Sequence, residues 1–299
     1  MSISHLHELA GDSVDVNAAF GSRTTYRVGG TARALWSVSS RKELERAGAA
    51  LRDIDAIYVL GNGSNTLVAD EGFEGLVIVL GREFEEMVIH DDGHVDVGAA
   101  MDLPVVARRS VEAGLRGFEW AVGVPGTLGG AVAMNAGGHG SDMAASIVSV
   151  EVWDVATAQC ETLSHDELNF GYRRSAITPQ QIVLSATLKL QTGNADEGRD
   201  EMREIVRWRR ENQPGGANAG SVFQNPTDTS AGQLIDECGL KGRRIGSAHV
   251  SEKHANFIQV DTGGLASDVA AVMSLVHDTV LAERGVDLRT EIRKVGFPS

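Results

Sequence analysis

Residues 123–140, GVPGTLGGAVAMNAGGHG, carry almost no side chain large enough to fill a core. Gly123, Gly126, Gly129, Gly130, Gly137, Gly138 and Gly140 punctuate the stretch, and Ala131-Val132-Ala133-Met134 between them is small and apolar. A backbone this bare must pack closely on something, either another backbone or a flat ligand. A second bare stretch, Gly61-Asn62-Gly63-Ser64-Asn65-Thr66, follows the short apolar run 56–60, which reads as a buried strand entering a turn. Glycine makes up 35 of 299 residues, about 12% against about 7% in ordinary proteins. The excess lies in such clusters, not in a repeat.

A strand running into alternating glycine and small polar residues can expose successive backbone N–H groups as an anion-binding concavity. The stretch 61–66 reads equally as a plain loop using glycine for positive φ. It is no Walker loop, since no Gly-Lys-Ser/Thr follows, and it lacks the G-x-G-x-x-G register of a dinucleotide fold. Two bare loops in one chain favour a large cofactor with a diphosphate and a ring system. An adenine dinucleotide flavin fits that description better than a single phosphate.

Bulk properties narrow the class. Hydrophobic residues at 42% with 23% charged are ordinary for a folded globular chain. The charge balance, 27 − 41 = −14, argues against nucleic-acid or anionic-membrane binding, both of which need an excess of Lys and Arg. Small anions remain accessible through local arginines and backbone N–H groups. Cys160 and Cys238 are too few for a disulfide scaffold or a multi-cysteine zinc site. His249 and His254 have no Cys or acidic partner at a ligating spacing, so no metal is expected. Residues 1–12 lack a basic start followed by an apolar core, and no stretch approaches the ~20 apolar residues of a membrane span. A cytoplasmic protein is expected.

Ser40 and Glu43 form a capping-box pair ahead of Leu44, Ala47 and Leu51 at helical spacing. Segments 75–80, 95–99, 147–153 and 182–190 read as strands, the last alternating at Leu184, Ala186, Leu188 and Leu190. Segment 103–113 reads as a helix stopped by Gly114, and 200–212 as a charged helix. Val269, Val272, Met273, Val276 and Val280 form an apolar helical stripe ending near Gly285, with a closing strand over 288–295. The fold class is therefore α+β, with a composition change near residue 195.

Three segments have chemical character. Tyr172-Arg173-Arg174 offers a guanidinium fork suited to a carboxylate, though in isolation it reads more readily as a surface arginine pair on a loop. Ser221, in Gly220-Ser221-Val222-Phe223, could project a hydroxyl into a pocket or simply make a turn. It is not the G-x-S-x-G elbow of a hydrolase. Glu291 stands between Arg289 and Arg293, the ordinary setting of a solvated ion pair. Arg203, Arg207, Arg209 and Arg210 form a basic helical cluster able to attract a diphosphate.

Taken together, these segments resemble the MurB family of UDP-N-acetylenolpyruvoylglucosamine reductases of peptidoglycan synthesis. The resemblance runs in order from Thr24 to Gly296. It starts with Thr24-Thr25-Tyr26-Arg27-Val28-Gly29-Gly30-Thr31-Ala32 and continues through the flavin-type segments 61–67 and 125–140. The catalytic-type segments follow at Tyr172-Arg173, Gly220-Ser221-Val222-Phe223 and Thr290-Glu291-Ile292. Gly239-Leu240-Lys241-Gly242 and Val250-Ser251-Glu252-Lys253-His254-Ala255-Asn256-Phe257 resemble substrate-domain signatures of the branch with the shorter substrate domain.

The resemblance implies a two-subdomain FAD-binding fold of the vanillyl-alcohol-oxidase type over 1–195, dividing near 75, with a C-terminal α/β substrate domain over 196–299. It implies non-covalent FAD held by Gly61, Asn62, Gly63, Ser64, Asn65, Thr66, Pro125, Gly126, Gly129, Gly130, Asn135, Gly137 and Gly138. NADPH is the implied co-substrate, and a UDP-sugar, UDP-N-acetylglucosamine enolpyruvate, is reduced to UDP-N-acetylmuramate. By the same resemblance Ser221 is the general acid, and Arg173 and Glu291 stabilise an enolate-like intermediate. Tyr172, Arg210, Gln224, Asn225 and His254 contact substrate, and a monomer is expected. Three positions depart from the family pattern. Gln224 stands where lysine is most common, Ile177 replaces an aromatic residue, and His139 occupies a frequently aromatic position in the flavin loop.

Overall fold

A computed structural model describes residues 3–298. The chain forms two compact units, one of residues 1–16, 34–61 and 75–209, the other of 17–33, 62–74 and 210–299.

The first unit is organised on a five-stranded antiparallel sheet in the order Gln159–Ser164, Ile147–Asp154, Gln181–Lys189, His94–Gly98, Met87–Ile89. The alternation expected along 182–190 holds only in part. Ala186, Leu188 and Leu190 enter one core cluster, whereas Ile182 and Leu184 enter another. Opposite them Glu151 pairs with Ser185 and Val152 with Val183, so Leu184 is the extra residue of a bulge. A bulge re-aims the side chains on either side of it, which is how one strand serves two cores. Helix Leu103–Glu112 buries Leu103, Val106, Ala107 and Val111 against the sheet cluster. It stops where Gly114 adopts φ +75° and donates its N–H to the Val111 carbonyl.

In a four-stranded sheet ordered Val14–Ala19, Thr31–Val38, Phe73–Leu80, Ile57–Val59, the last two strands run parallel with Val59 opposite Ile78. That register delivers the chain to Gly61. The capping box forms as read: Ser40 accepts from the Glu43 N–H at 3.2 Å, while the Glu43 carboxylate takes the Ser39 N–H at 2.8 Å. The charged helix starts at Ala195, not at 200, and runs to Asn212. Its Met202 and Ile205 belong to the sheet cluster of the first unit. The break between units therefore falls at Arg209/Arg210, after the helix has made its apolar contacts, and not at residue 195. Residues 17–33 and 62–74 lie with the C-terminal segment, although they are early in sequence.

The second unit packs helix Ala266–Arg284 on the antiparallel strands Arg244–Ile245, Ala248–Val250 and Ile258–Val260. The buried stripe is the expected one, and Gly285 closes the helix at φ +69°. The expected closing strand over 288–295 is shorter. Only Arg293–Val295 forms, parallel to Thr66–Val68, while residues 288–292 are committed to the site described below.

The N-terminus of Ala266–Arg284 is capped from a distance. Asp70 accepts from the Ala266 and Ser267 N–H groups at 2.8 and 2.9 Å, and Leu265 supplies no side-chain cap. Burial pushes the Asp70 carboxyl up, but the hydrogen bonds from Ser267 and Ala266 outweigh it and hold its pKa below the ordinary value. A lowered folded pKa means stability that is present above the unfolded value and lost as pH falls through the folded one. Asp70→Asn keeps only one accepting oxygen of the two in use, and should therefore cost about 1 kcal/mol at neutral pH, the usual worth of one hydrogen bond. Denaturant titrations of variant and wild type should converge as pH drops below the carboxylate range.

Candidate active site

The expected residues divide between the units. Gly61, Pro125, Gly126, Gly129, Gly130, Asn135, Gly137, Gly138, Tyr172 and Arg173 lie in the first. Residues 62–66, Arg210, Ser221, Gln224, Asn225, His254 and Glu291 lie in the second.

In the first unit the stretch 123–140 is a backbone-packed loop around helix Leu128–Met134. Thr127 caps that helix, accepting from the Gly130 N–H at 3.4 Å. The N–H groups of Leu128 and Gly129 go to the carbonyls of Met101 and Ala99, both at 2.9 Å. Those of Gly126 and Ala131 are also paired, so the glycines here serve close approach more than anion binding. A Cβ on Gly129 would lie 2.9 Å from the Ala99 Cβ, and one on Gly61 would overlap the Thr127 hydroxyl. Asn135 ends the helix in the left-handed region at φ +46°. Its buried carboxamide binds Asp142 and the Gly171 carbonyl at 3.0 Å each, and accepts from the Ala144 N–H at 3.0 Å. The bond to Gly171 ties the loop to the segment carrying Tyr172 and Arg173, and the other two tie it to residues 142–144. Gly138 differs from its neighbours, because a Cβ there would meet nothing within 4 Å.

Arg173 is itself in the left-handed region, at φ +54°. It donates from Nη2 to the Gly137 carbonyl at 2.9 Å, and its guanidinium carbon lies 5.1 Å from the centroid of the Tyr172 ring. The fork is thus held by the Gly137 carbonyl and an aromatic face. His139 meets the exposed Trp208 edge-on, centroids 5.2 Å apart. Burial, and then the charge of Arg209, hold its pKa below the ordinary imidazole value. Arg209 packs its stem against Gly123, where a Cβ would come within 2.7 Å of Cδ. It has no acidic partner among the described residues.

In the second unit the loop 62–66 sits over the N-terminal signature. Gly63 adopts φ +62°, and Thr25 donates to its carbonyl from N–H at 3.2 Å and from Oγ1 at 3.4 Å. Among the described residues no partner takes the N–H groups of Gly61, Gly63 or Ser64. Unsatisfied amides in succession fit an anionic group such as a diphosphate. Asn65 donates from Nδ2 to the Glu291 carbonyl at 3.1 Å and accepts from the Arg293 N–H at 3.0 Å. The Glu291 N–H in turn goes to the Val222 carbonyl at 2.8 Å, and Phe223 bridges to Thr290. The 62–66 loop, Glu291 and the Ser221 segment are therefore joined by direct hydrogen bonds. Ser221 is half-buried, and its hydroxyl has no partner among the described residues.

Residues 212–295 match the family model of the UDP-N-acetylenolpyruvoylglucosamine reductase C-terminal domain, and residues 32–164 match an FAD binding domain. A UDP-N-acetylenolpyruvoylglucosamine reductase of Synechococcus sp. (strain WH7803) is 41% identical over 284 residues, 92% of this chain and 90% of that one. The chain belongs to the UDP-N-acetylenolpyruvoylglucosamine reductase family. The reductase of Heliobacterium modesticaldum is 42% identical over 279 residues, covering 91% and 88%. The crystal structure of the Thermus caldophilus enzyme superposes with a TM-score of 0.81 at 38% identity, covering 93% of this chain and 97% of that one. The family consists of FAD-dependent oxidoreductases of peptidoglycan precursor synthesis, and the expected α+β, FAD-binding fold class is the one found.

Several expected substrate contacts have structural work of their own. Asn225 is exposed and its Oδ1 accepts from the Ala231 N–H at 3.0 Å, capping the next helix. Gln224 is tied by its N–H to the Arg289 carbonyl at 2.9 Å. Arg210 is exposed, and its carbonyl accepts from Lys253 Nζ at 2.6 Å. His254 stacks on Phe257 with centroids 4.7 Å apart, and its Nδ1 accepts from the Asn256 N–H at 3.2 Å. Burial lowers its pKa, with Lys241 adding to the effect. The ring is thereby held neutral with its hydrogen on Nε2. In the sequence Arg209 stands only as one of a basic cluster, and Thr127 and Asn256 only as members of motif segments with no role of their own. For Asn256 a signal existed: an amide between Ala255 and the apolar pair Phe257-Ile258 has few uses except as a buried hydrogen-bonding group. Among the described residues no cluster of His, Cys, Asp or Glu suits a metal, and no helix is long and apolar enough to cross a membrane.

Proposed function

We propose that the chain reduces UDP-N-acetylglucosamine enolpyruvate to UDP-N-acetylmuramate with NADPH, and that Ser221, Arg173 and Glu291 carry the proton and charge work. Bound FAD supplies hydride transfer from NADPH to the enolpyruvyl double bond. The protein's tasks are then to orient the reactants, stabilise developing negative charge and deliver one proton. Ser221 gives its proton to the carbanionic carbon. An alcohol is a weak acid, but it suffices against so strong a base. Arg173 and Glu291 act at the substrate carboxylate end, where a fixed guanidinium lowers the cost of accumulating electron density. The observation that carries this reading is the Ser221 hydroxyl, left without a protein partner in a segment bonded directly to Glu291.

The test is anaerobic. NADPH-reduced protein mixed with UDP-N-acetylglucosamine enolpyruvate should regain its oxidised flavin spectrum in one stoichiometric turnover. A flavin that reoxidises with oxygen and not with the enolpyruvyl sugar would end the proposal. We also propose that FAD is held non-covalently, His139 being engaged with Trp208. Acid precipitation should leave all the yellow colour in the supernatant, and colour in the pellet would contradict this. The reaction is assigned to the cytoplasm and to a monomer. Sedimentation at working concentration should give the 31.7 kDa mass of one chain.

A further inference from the structure

The hydrogen bonds that follow Ser221 converge on one buried residue, Asn256, through both its backbone carbonyl and its carboxamide. Asn256 is 3% exposed. Its carbonyl accepts from the Val222 N–H at 2.9 Å, its Oδ1 accepts from the Phe223 N–H at 3.0 Å, and its Nδ2 donates to the Phe223 carbonyl at 2.8 Å. The Val222 N–H belongs to the peptide plane that leaves Ser221, so the first bond fixes the backbone on the C-terminal side of the serine. The other two bonds hold the next residue on both of its polar groups. The same Val222 presents its carbonyl to the Glu291 N–H. On the N-terminal side, Gly220 at φ +75° offers little resistance to rotation, and its N–H is held by the Asn218 Oδ1 at 3.0 Å.

We infer that Asn256 is the positioning residue for Ser221: its backbone carbonyl holds Val222 and its carboxamide clamps Phe223, and together they set the direction of the serine hydroxyl and the spacing between the Ser221 and Glu291 segments. The inference rests on the assignment of Ser221 as proton donor. A misplacement of about 1 Å in a reacting group can cost ~10²-fold in rate. A buried amide bonded through both its oxygen and its nitrogen is the kind of group that holds such tolerances. Among the described residues the Asn256 carboxamide bonds only Phe223, so its effect on the serine passes through the backbone of the Ser221–Phe223 segment.

The test uses the FAD-loaded full chain in stopped flow. Asn256→Ala should leave NADPH reduction of the flavin at the wild-type rate and slow reoxidation by the enolpyruvyl sugar at least ~10-fold, kcat falling more than KM rises. In a Ser221→Ala background the same substitution should add less than ~2-fold, because there is no hydroxyl left to position. Asn256→Asp keeps the volume should Asn256→Ala fail to fold. Its protonated carboxyl can donate to the Phe223 carbonyl and accept from the Phe223 N–H, whereas the ionised form can only accept. Reoxidation by this variant should therefore speed up as pH falls, opposite to a merely weakened core. Wild-type reoxidation by Asn256→Ala, with Ser221→Ala slow, overturns the inference and leaves the serine assignment standing. A full additional loss in the double variant, or a flat pH profile for Asn256→Asp, overturns it as well. Normal reoxidation by Ser221→Ala removes the assignment on which it rests.

Discussion

Ser221→Ala should separate the two half-reactions. Reduction of the flavin by NADPH needs no proton from this residue and should proceed at the wild-type rate. Reoxidation by UDP-N-acetylglucosamine enolpyruvate should slow by at least ~10²-fold, the lower end of what a positioned general acid contributes. The substitution removes only the oxygen of a hydroxyl with no protein partner among the described residues. The fold therefore loses no hydrogen bond, and unfolding curves should superpose on those of wild type. A solvent deuterium isotope effect on reoxidation should disappear or change in the variant, since a different donor then supplies the proton. Anaerobic reoxidation at the wild-type rate would show that Ser221 is not the acid.

Two glycine substitutions should lose the flavin for different reasons. At Gly63 a methyl group would sit 2.6 Å from the Thr24 Cα and 2.9 Å from the Arg23 carbonyl, both backbone, at φ +62°. The left-handed conformation alone costs an L-residue about 1–2 kcal/mol, and the overlap forces the loop away from Thr24. Gly63→Ala should therefore be destabilised even without flavin and should purify nearly colourless. At Gly138 a methyl group meets no protein atom within 4 Å. Gly138→Ala should leave the stability of the flavin-free protein unchanged and weaken FAD alone. Flavin-to-protein absorbance ratios after gel filtration, set beside denaturation of the stripped proteins, distinguish the two. A fully yellow Gly63→Ala would mean the first loop tolerates displacement and does not grip the cofactor.

The elements most legible in the sequence were those whose signals are local. The Ser40–Glu43 cap, the helix stopped at Gly114 and the valine stripe closed by Gly285 each depend on residues within one or two turns. The strand over 182–190 was legible as a strand but not as one serving two cores, because the bulge at Leu184 is defined by its pairing with Glu151 and Val152. The same limit shortened the closing strand, since residues 288–292 are claimed by Val222, Phe223 and Gln224, distant in sequence. Arg209 and Arg210 look alike in a basic cluster. Only folding put the first against Gly123 and left the second exposed.

By itself the sequence determined that two bare glycine stretches must be filled by close backbone contact or by a ligand, and its ordered motifs pointed to one flavoenzyme family. Composition and spacing suffice for that, because glycine content and motif order are properties of the chain alone. The tertiary structure decided what each stretch does. Among the described residues it left the N–H groups of Gly61, Gly63 and Ser64 without partners, while pairing those of Gly126 and Leu128–Ala131. It also gave Asn256 its place behind Ser221. Hydrogen-bond satisfaction is settled by which carbonyls folding brings within 3 Å, and no local pattern carries that information.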